Sequence, residues 1–407
     1  WVEVETDGEN PQHVGVLRAF AGAILRGEKL VANGVEGIRG LTLSNAMHLS
    51  SWLGKTVEIP FDEELFLQEV VTEPEKRGDR MRCGIVGCGG VAQVHAKAIQ
   101  EIMPGALIAV ADIVPEKAAE LAGKYGAKAY SSLGAMLCSE QIDVLHICTP
   151  HHLHVPMAVA ALKVGTHVFM EKPPVIDEEQ WDFLQRTVAQ KKITSRLGVC
   201  FQNRYNDSVQ FVKKELESGK YGKVLGVRGI VTWCRNEEYY YSSNWRGKLA
   251  TEGGGALMNQ AIHTLDLIQY FMKEKPTEVK AVKGNFHLPE DIEVEDVVAA
   301  HITYPNAKAS FYVTTGYVKD VPPLIELECE KGRVRIEEDL VTIFADDDAK
   351  IRSFKEQKRL GKSHWGMGHL TAIKDFYTCL QSGKKFSIEL EDVADTIWLL
   401  LRIYGKN

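Results

Sequence analysis

Four short stretches carry residues whose types and spacing could do chemistry. Gly87-Cys88-Gly89-Gly90-Val91-Ala92 fits the pattern G-x-G-x-x-A. Gly87 permits a tight turn, Gly89 lets the backbone approach a pyrophosphate, and Ala92 allows close helix–strand packing. The helix that follows supplies free amides and the positive end of its dipole. Asp112 stands 25 residues beyond Gly87, a spacing that suits a carboxylate on the adenosine ribose hydroxyls. That favours NAD, with NADP as the alternative because neighbouring residues can admit a phosphate. Thr149-Pro150-His151-His152-Leu153-His154 and Glu171-Lys172-Pro173-Pro174 each follow an apolar run. Lys172 suits alcohol oxidation, either as base for the hydroxyl proton or as stabiliser of the oxyanion. Burial beside a cofactor lowers a lysine pKa and fits it to the first task. Asn259 and His263, within Gly253-Gly254-Gly255-Ala256-Leu257-Met258-Asn259-Gln260-Ala261-Ile262-His263-Thr264-Leu265-Asp266, lie four apart and on a helix would share a face.

Elements must bring these stretches together. From Met81 the pattern alternates short apolar strands and helices. Strands are expected at Cys83–Val86, Leu107–Ala111, Val144–Cys148, Val168–Met170 and Leu197–Phe201. Helices are expected at Val91–Ile102, Glu116–Tyr125, His152–Val164 and Glu178–Lys191. That rhythm implies a doubly wound parallel sheet, whose strand C-terminal ends line a ligand crevice. The turn glycines, Asp112, Thr149-Pro150 and Glu171-Lys172 all fall at such ends. After about Gln202 the grammar becomes β-rich, with strands at Thr277–Asn285, Val297–Tyr304, Ala309–Thr315, Ile325–Glu330 and Gly332–Glu337. Two helices, Gly366–Gln381 and Asp392–Ile403, close the chain. Consecutive strands argue for an antiparallel or mixed sheet, hence an α+β domain.

The bulk composition excludes several classes. The chain has 407 residues, 45% hydrophobic and 25% charged, with net charge −7. It is neither disordered nor a disulfide scaffold, and nucleic acid or an anionic membrane gains no bulk electrostatic support. No apolar run approaches ~18 residues, so no transmembrane helix is expected. The eight cysteines are scattered without C-x-x-C spacing. That argues against zinc or any other metal and suits a reducing cytoplasm. The acidic N-terminus shows no signal-peptide pattern and no initiator Met, so a fragment or a processed chain is also expected.

The four motifs, in this order, resemble the glucose–fructose oxidoreductase/inositol dehydrogenase/rhizopine catabolism (Gfo/Idh/MocA) family over about residues 81–407. The resemblance implies an α/β fold: an N-terminal Rossmann domain (81–201) and a C-terminal α+β domain (202–407) with a large open, mostly antiparallel sheet. It implies hydride transfer between nicotinamide and a hydroxyl or ketone carbon of a sugar, polyol or glycoside. Glu171 is then expected at the nicotinamide ribose, with a cis bond between Lys172 and Pro173. His154 either shapes the cofactor pocket or is structural. Many family members carry Asp where this chain has Asn259. Asn cannot accept a proton, so the base role shifts to His263 and Lys172. Gln202, Asn203, Arg204, Tyr205 and Asn206 are expected near the cofactor and sugar. Trp233, Arg235, Tyr239, Tyr240, Trp245 and Arg246 are candidate sugar contacts, and His364, Trp365 and His369 weaker ones. A homodimer or homotetramer through the open sheet is expected. A redox glycosidase, cleaving by oxidation, elimination and re-reduction, uses the same parts; a non-catalytic dinucleotide-binding regulator is the third reading.

Residues 1–80 stand apart as a helical appendage and linker. His13–Arg26 and Gly37–Leu53 have helical spacing, and 73–80 is charged. The pattern from His13 to Leu30 repeats from His369 to Phe386, offset by 356 (369 − 13). Residues 13–60 resemble the C-terminal tail of another branch of the same family, with a fusion artefact as the alternative.

Overall fold

The computed structural model describes residues 42–47, 49–50, 56–60, 81–345, 348–354 and 368–405. The chain divides into two compact units, Trp1–Arg80 and Met81–Asn407. In the first, 42–47 and 49–50 are helical, within the helix expected over Gly37–Leu53. The helix expected at His13–Arg26, the linker 73–80, the N-terminal copy of the repeat, and His364 and Trp365 lie outside the described residues.

The second unit opens with a six-stranded parallel sheet. Its strands are β1 (Cys83–Val86), β2 (Leu107–Ala111), β3 (Lys128–Tyr130), β4 (Val144–Ile147), β5 (His167–Glu171) and β6 (Leu197–Cys200), in the order β3-β2-β1-β4-β5-β6. β1, β4 and β6 are buried along their whole length, as a sheet covered on both faces requires. The order reverses between β1 and β4, and that reversal opens the crevice at the strand C-terminal ends. The helices include α1 (Gly90–Ile102) after β1 and α2 (Pro115–Tyr125) after β2. The sequence reading missed β3 and a helix at Leu133–Ser139. Both are too short, at three and seven residues, to show a period.

The second sheet has eight strands: β7 (Val224–Thr232), β8 (Glu278–Gly284), β9 (Val297–Thr303), β10 (Lys308–Thr314), β11 (Leu324–Cys329), β12 (Gly332–Glu337), β13 (Leu340–Ala345) and β14 (Asp348–Ser353). Their order is β14-β13-β12-β11-β7-β10-β9-β8. Only β7 and β10 run parallel to each other, so the sheet is mixed and mostly antiparallel. One face is apolar: Val227, Val231, Phe311, Val313, Val298 and Ile302 are buried, and their sequence neighbours point outward. Helix α3 (Ile262–Met272) lies on that face, where Gly229 gives room to Thr264 and Ile268.

The closing helices, α4 (Gly368–Ser382) and α5 (Leu390–Tyr404), do more than finish the second domain. The Val199 amide donates to the Ile388 carbonyl, and Phe376 and Phe386 pack against Phe169 of β5. A side chain at Gly198 would meet both rings at 3.0 Å. The chain therefore returns to the first sheet and ties the two sheets into one body.

Candidate active site

The Gly87 turn has the geometry its sequence requires. Gly87 has φ +84°, and a Cβ there would lie 2.7 Å from the Cys148 carbonyl. α1 begins with no side-chain cap and no acidic residue in its first turn, so its leading amides are left for an anion. Beside Gly89 and Gly90 nothing lies within 4 Å of where a Cβ would stand, which leaves bare backbone for a pyrophosphate. Asp112, at the end of β2, accepts from the Cys88 amide (2.7 Å) and the Val114 amide (2.8 Å). Its carboxylate is thereby fixed beside the turn, with lone pairs left for ribose hydroxyls. Cys88, Val91, Ala92 and Asp112 thus sit together as the sequence suggested, and the cradle fits a dinucleotide.

Thr149 and Pro150 continue the crevice past β4. His154 stands between the carbonyls of Thr149 (2.9 Å from Nε2) and Pro173 (2.8 Å from Nδ1), and a neutral imidazole donates to one of them at a time. The Lys172–Pro173 bond is cis.

Lys172 reaches across to the second domain. Its Nζ donates to the Asn259 carbonyl at 2.6 Å and lies 3.4 Å from Asn259 Oδ1. Burial lowers its pKa below the ordinary lysine value, against the pull of Glu171 and Glu252. Asn259 Nδ2 faces Glu252 Oε1 at 2.6 Å and the Tyr239 hydroxyl at 3.2 Å. The sequence reading did not include Glu252, which directly precedes the glycine triplet. It is fully buried, takes the Gly247 amide at 2.6 Å, and burial pushes its carboxyl up to about 7.

The triplet and the turn after it explain how Asn259 and His263 are presented. A Cβ at Gly255 would collide with the Glu295 carbonyl. Glu295 is buried and accepts from the Gly255 and Leu257 amides (2.9 and 3.0 Å) and from the Tyr404 hydroxyl (2.8 Å). Ala256–Ala261 winds as a π-helix, and α3 starts only at Ile262. The two residues therefore do not share a regular α-helical face, which corrects the spacing argument. Asn259 turns toward Glu252 and Lys172, while His263 packs edge-on to Phe201 and lies 3.3 Å from Gln202 Nε2. Burial and the Lys172 charge hold His263 down to about 3, so its imidazole stays neutral.

Glu171 is buried beside two imidazoles. Its carboxylate turns inward, 2.9 Å from His95 Nε2 and 3.5 Å from His369 Nε2. Burial alone would raise it, but hydrogen bonds from His369 and His95 hold it well below the usual carboxylate range. An ionised carboxylate only accepts, so His95 Nε2 donates to it. His95 Nδ1 in turn lies 2.9 Å from His146 Nδ1. His146 Nε2 lies 2.6 Å from the Tyr377 hydroxyl oxygen, which lies 3.2 Å from Cys83 Sγ. His95, Glu171, Cys200 and His369 offer metal-ligand atoms within 4.8 Å of one another; in this cluster the imidazoles hydrogen-bond the carboxylate directly. Only His369 of these histidines was flagged from the sequence. His95 lies one helical turn after Ala92, on the same buried face, and that spacing is a readable signal.

Three expected sugar contacts are structural instead. Arg204 is buried and bidentate to Asp266 (2.8 and 2.6 Å), because a buried guanidinium needs a carboxylate partner. Trp233 is buried and donates from Nε1 to the Val321 carbonyl at 3.0 Å. Tyr240 packs with Ile292 and Val294 in a small separate core. Tyr205 joins Asp375 and Ser387, and Arg235 pairs with Asp320. Trp245 and Arg246 do approach the centre: Trp245 lies 4.7 Å from the His151 ring, and Arg246 stands over Tyr239.

Residues 81–199 match the family described as oxidoreductase family, NAD-binding Rossmann fold, and residues 209–335 match the GFO/IDH/MocA C-terminal domain. An inositol 2-dehydrogenase of Rhizobium meliloti is 28% identical over 201 residues, which is 49% of this chain and 58% of that protein. A levoglucosan dehydrogenase of Pseudarthrobacter phenanthrenivorans is 24% identical over 310 residues, 68% of this chain and 79% of that one. Among solved structures, the WlbA dehydrogenase from Bordetella pertussis in complex with NADH and UDP-GlcNAcA is similar at TM-score 0.69 and 29% identity. That match covers 80% of this chain and 96% of the other.

Proposed function

Because the chain belongs to the Gfo/Idh/MocA family of NAD-binding oxidoreductases, we propose that it oxidises a secondary alcohol of a sugar or polyol, or reduces the matching ketone. The relatives named as inositol and levoglucosan dehydrogenases support that substrate class. The observation that carries the reading is Lys172, an ammonium in a desolvated site at the β5 end. NAD, when bound, supplies the hydride acceptor. Gly87 to Ala92 hold its pyrophosphate, and Asp112 holds the adenosine ribose.

Lys172 takes the hydroxyl proton in oxidation and returns it in reduction. Its lowered pKa makes the neutral amine accessible, and the Asn259 carbonyl aims it. His263 stays neutral and hydrogen-bonds the substrate hydroxyl, so proton acceptance falls to Lys172 alone. The ionised Glu171 balances the Lys172 charge from below. The test is a panel of sugars and polyols with NAD and with NADP, followed by absorbance of the reduced cofactor. Reduction of NAD by at least one sugar, with NADP much weaker, supports the reading; an inert panel contradicts it.

The same proposal includes a homodimer or homotetramer through the outward face of the second sheet. Val282, Ala299, Tyr312, Ile230 and Leu324 form one cross-strand apolar row there. Val282 is 73% exposed and Tyr312 38% exposed. A second copy of the same face would cover that row. The eight free cysteines agree with work in a reducing cytoplasm. No described helix is long and apolar enough to cross a membrane.

A further inference from the structure

Arg246 is the cation that neither the fold nor the mechanism above uses. Among the described residues no carboxylate lies within ion-pair distance of its guanidinium, and its buried Nε has no hydrogen-bond partner. Arg204, by contrast, has Asp266, and Arg235 has Asp320. Glu252, an acid on which the Arg246 charge acts, has both oxygens engaged, by the Gly247 amide and by Asn259 Nδ2. Arg246 is nevertheless held in place. Its guanidinium centre stands 4.5 Å from the Tyr239 ring centroid and 5.1 Å from that of Trp245. Two aromatic faces fix a guanidinium plane and leave its edge to bind a ligand.

The neighbours are donors as well. The Tyr239 oxygen accepts from Asn259 Nδ2 (3.2 Å) and Gln260 Nε2 (2.9 Å), which fills its lone pairs and leaves its own proton to give. Lys172 bonds to Asn259, as Tyr239 does, and the Arg246 charge is felt at Lys172 and at His151. A partly buried arginine with no acidic partner costs desolvation energy unless a ligand supplies the anion.

We propose that the substrate is an acidic sugar, whose carboxylate or phosphate binds Arg246, with the Tyr239 hydroxyl as second donor. This rests on the dehydrogenase reading above and adds the charge of the substrate to it. Both anions present paired oxygens to the guanidinium edge. Arg246 then determines specificity, and Lys172 remains the group that handles the proton.

The experiment uses the full chain with NADH bound. D-Glucuronate, D-glucose 6-phosphate and D-glucose are titrated by calorimetry, and each is assayed for turnover with NAD. The expected result is that one acidic sugar binds at least about tenfold more tightly than D-glucose, a step worth about 1.4 kcal/mol. Glucuronate and the phosphate distinguish the two anions. Arg246→Met removes that preference and keeps NADH affinity; Arg246→Lys restores part of the preference. Equal binding of acidic and neutral sugars by the unaltered chain overturns the inference, as does an Arg246→Met loss that is the same for both. If acidic sugars bind through Arg246 but no sugar is turned over, the dehydrogenase reading fails and the anion site stands.

Discussion

At the residue scale the site turns on two charges of opposite sign, adjacent in sequence. Lys172 faces the crevice and Glu171 faces the interior. The motif Glu171-Lys172-Pro173 was readable in the sequence, and so was its place at a strand end. The direction of Glu171 was not, because it depends on His95 and His369, which lie 76 residues before it and 198 after it (171 − 95, 369 − 171). Glu252 was missed for a related reason: its burial is created by Gly247, Asn259 and the fold around them. The lowered Lys172 pKa gives a signed pH dependence. Oxidation needs the neutral amine, so its rate rises with pH and levels off below the ordinary lysine value of about 10.4. Reduction needs the ammonium, so its rate falls through the same midpoint. Rate–pH profiles in the two directions should cross there; parallel profiles would contradict a lysine acid–base.

At the scale of elements, the β1 turn and α1 were legible because each glycine has a local reason. Gly87→Ala should cost at least about 1–2 kcal/mol from the left-handed φ alone. The clash with the Cys148 carbonyl adds to that, so NADH binding and the melting midpoint should fall together. The π-turn before α3 was not legible. A carboxylate 34 residues past its final residue, Glu295 (295 − 261), and a tyrosine on the last helix hold it. The Arg204–Asp266 pair sets α3 from the other side, with Thr396 of α5 as third partner at 2.9 Å. Arg204→Leu leaves Asp266 buried without its cation and should cost about 3–5 kcal/mol, read as a shift in the denaturant midpoint. An unchanged midpoint would restore Arg204 as a free ligand contact.

At the scale of the whole molecule, the alternation of strands and helices foretold the first sheet, and the run of strands foretold the second. What the pattern hid is the return of α4 and α5 to the first sheet, a long-range contact that no local period reports. Assembly belongs to this scale too. Tyr312→Glu places a charge in the middle of the outward apolar row and should convert an oligomer to monomers in light scattering, with the melting midpoint of the monomer retained. A monomeric unaltered chain would remove the sheet from the assembly argument. The role of Lys172 as the proton-handling residue of an NAD-dependent dehydrogenase is decided by Lys172→Met, assayed on whichever sugar is turned over. Turnover should fall by about 10²- to 10⁴-fold with NADH affinity intact. Turnover within a few fold of the unaltered chain would contradict it.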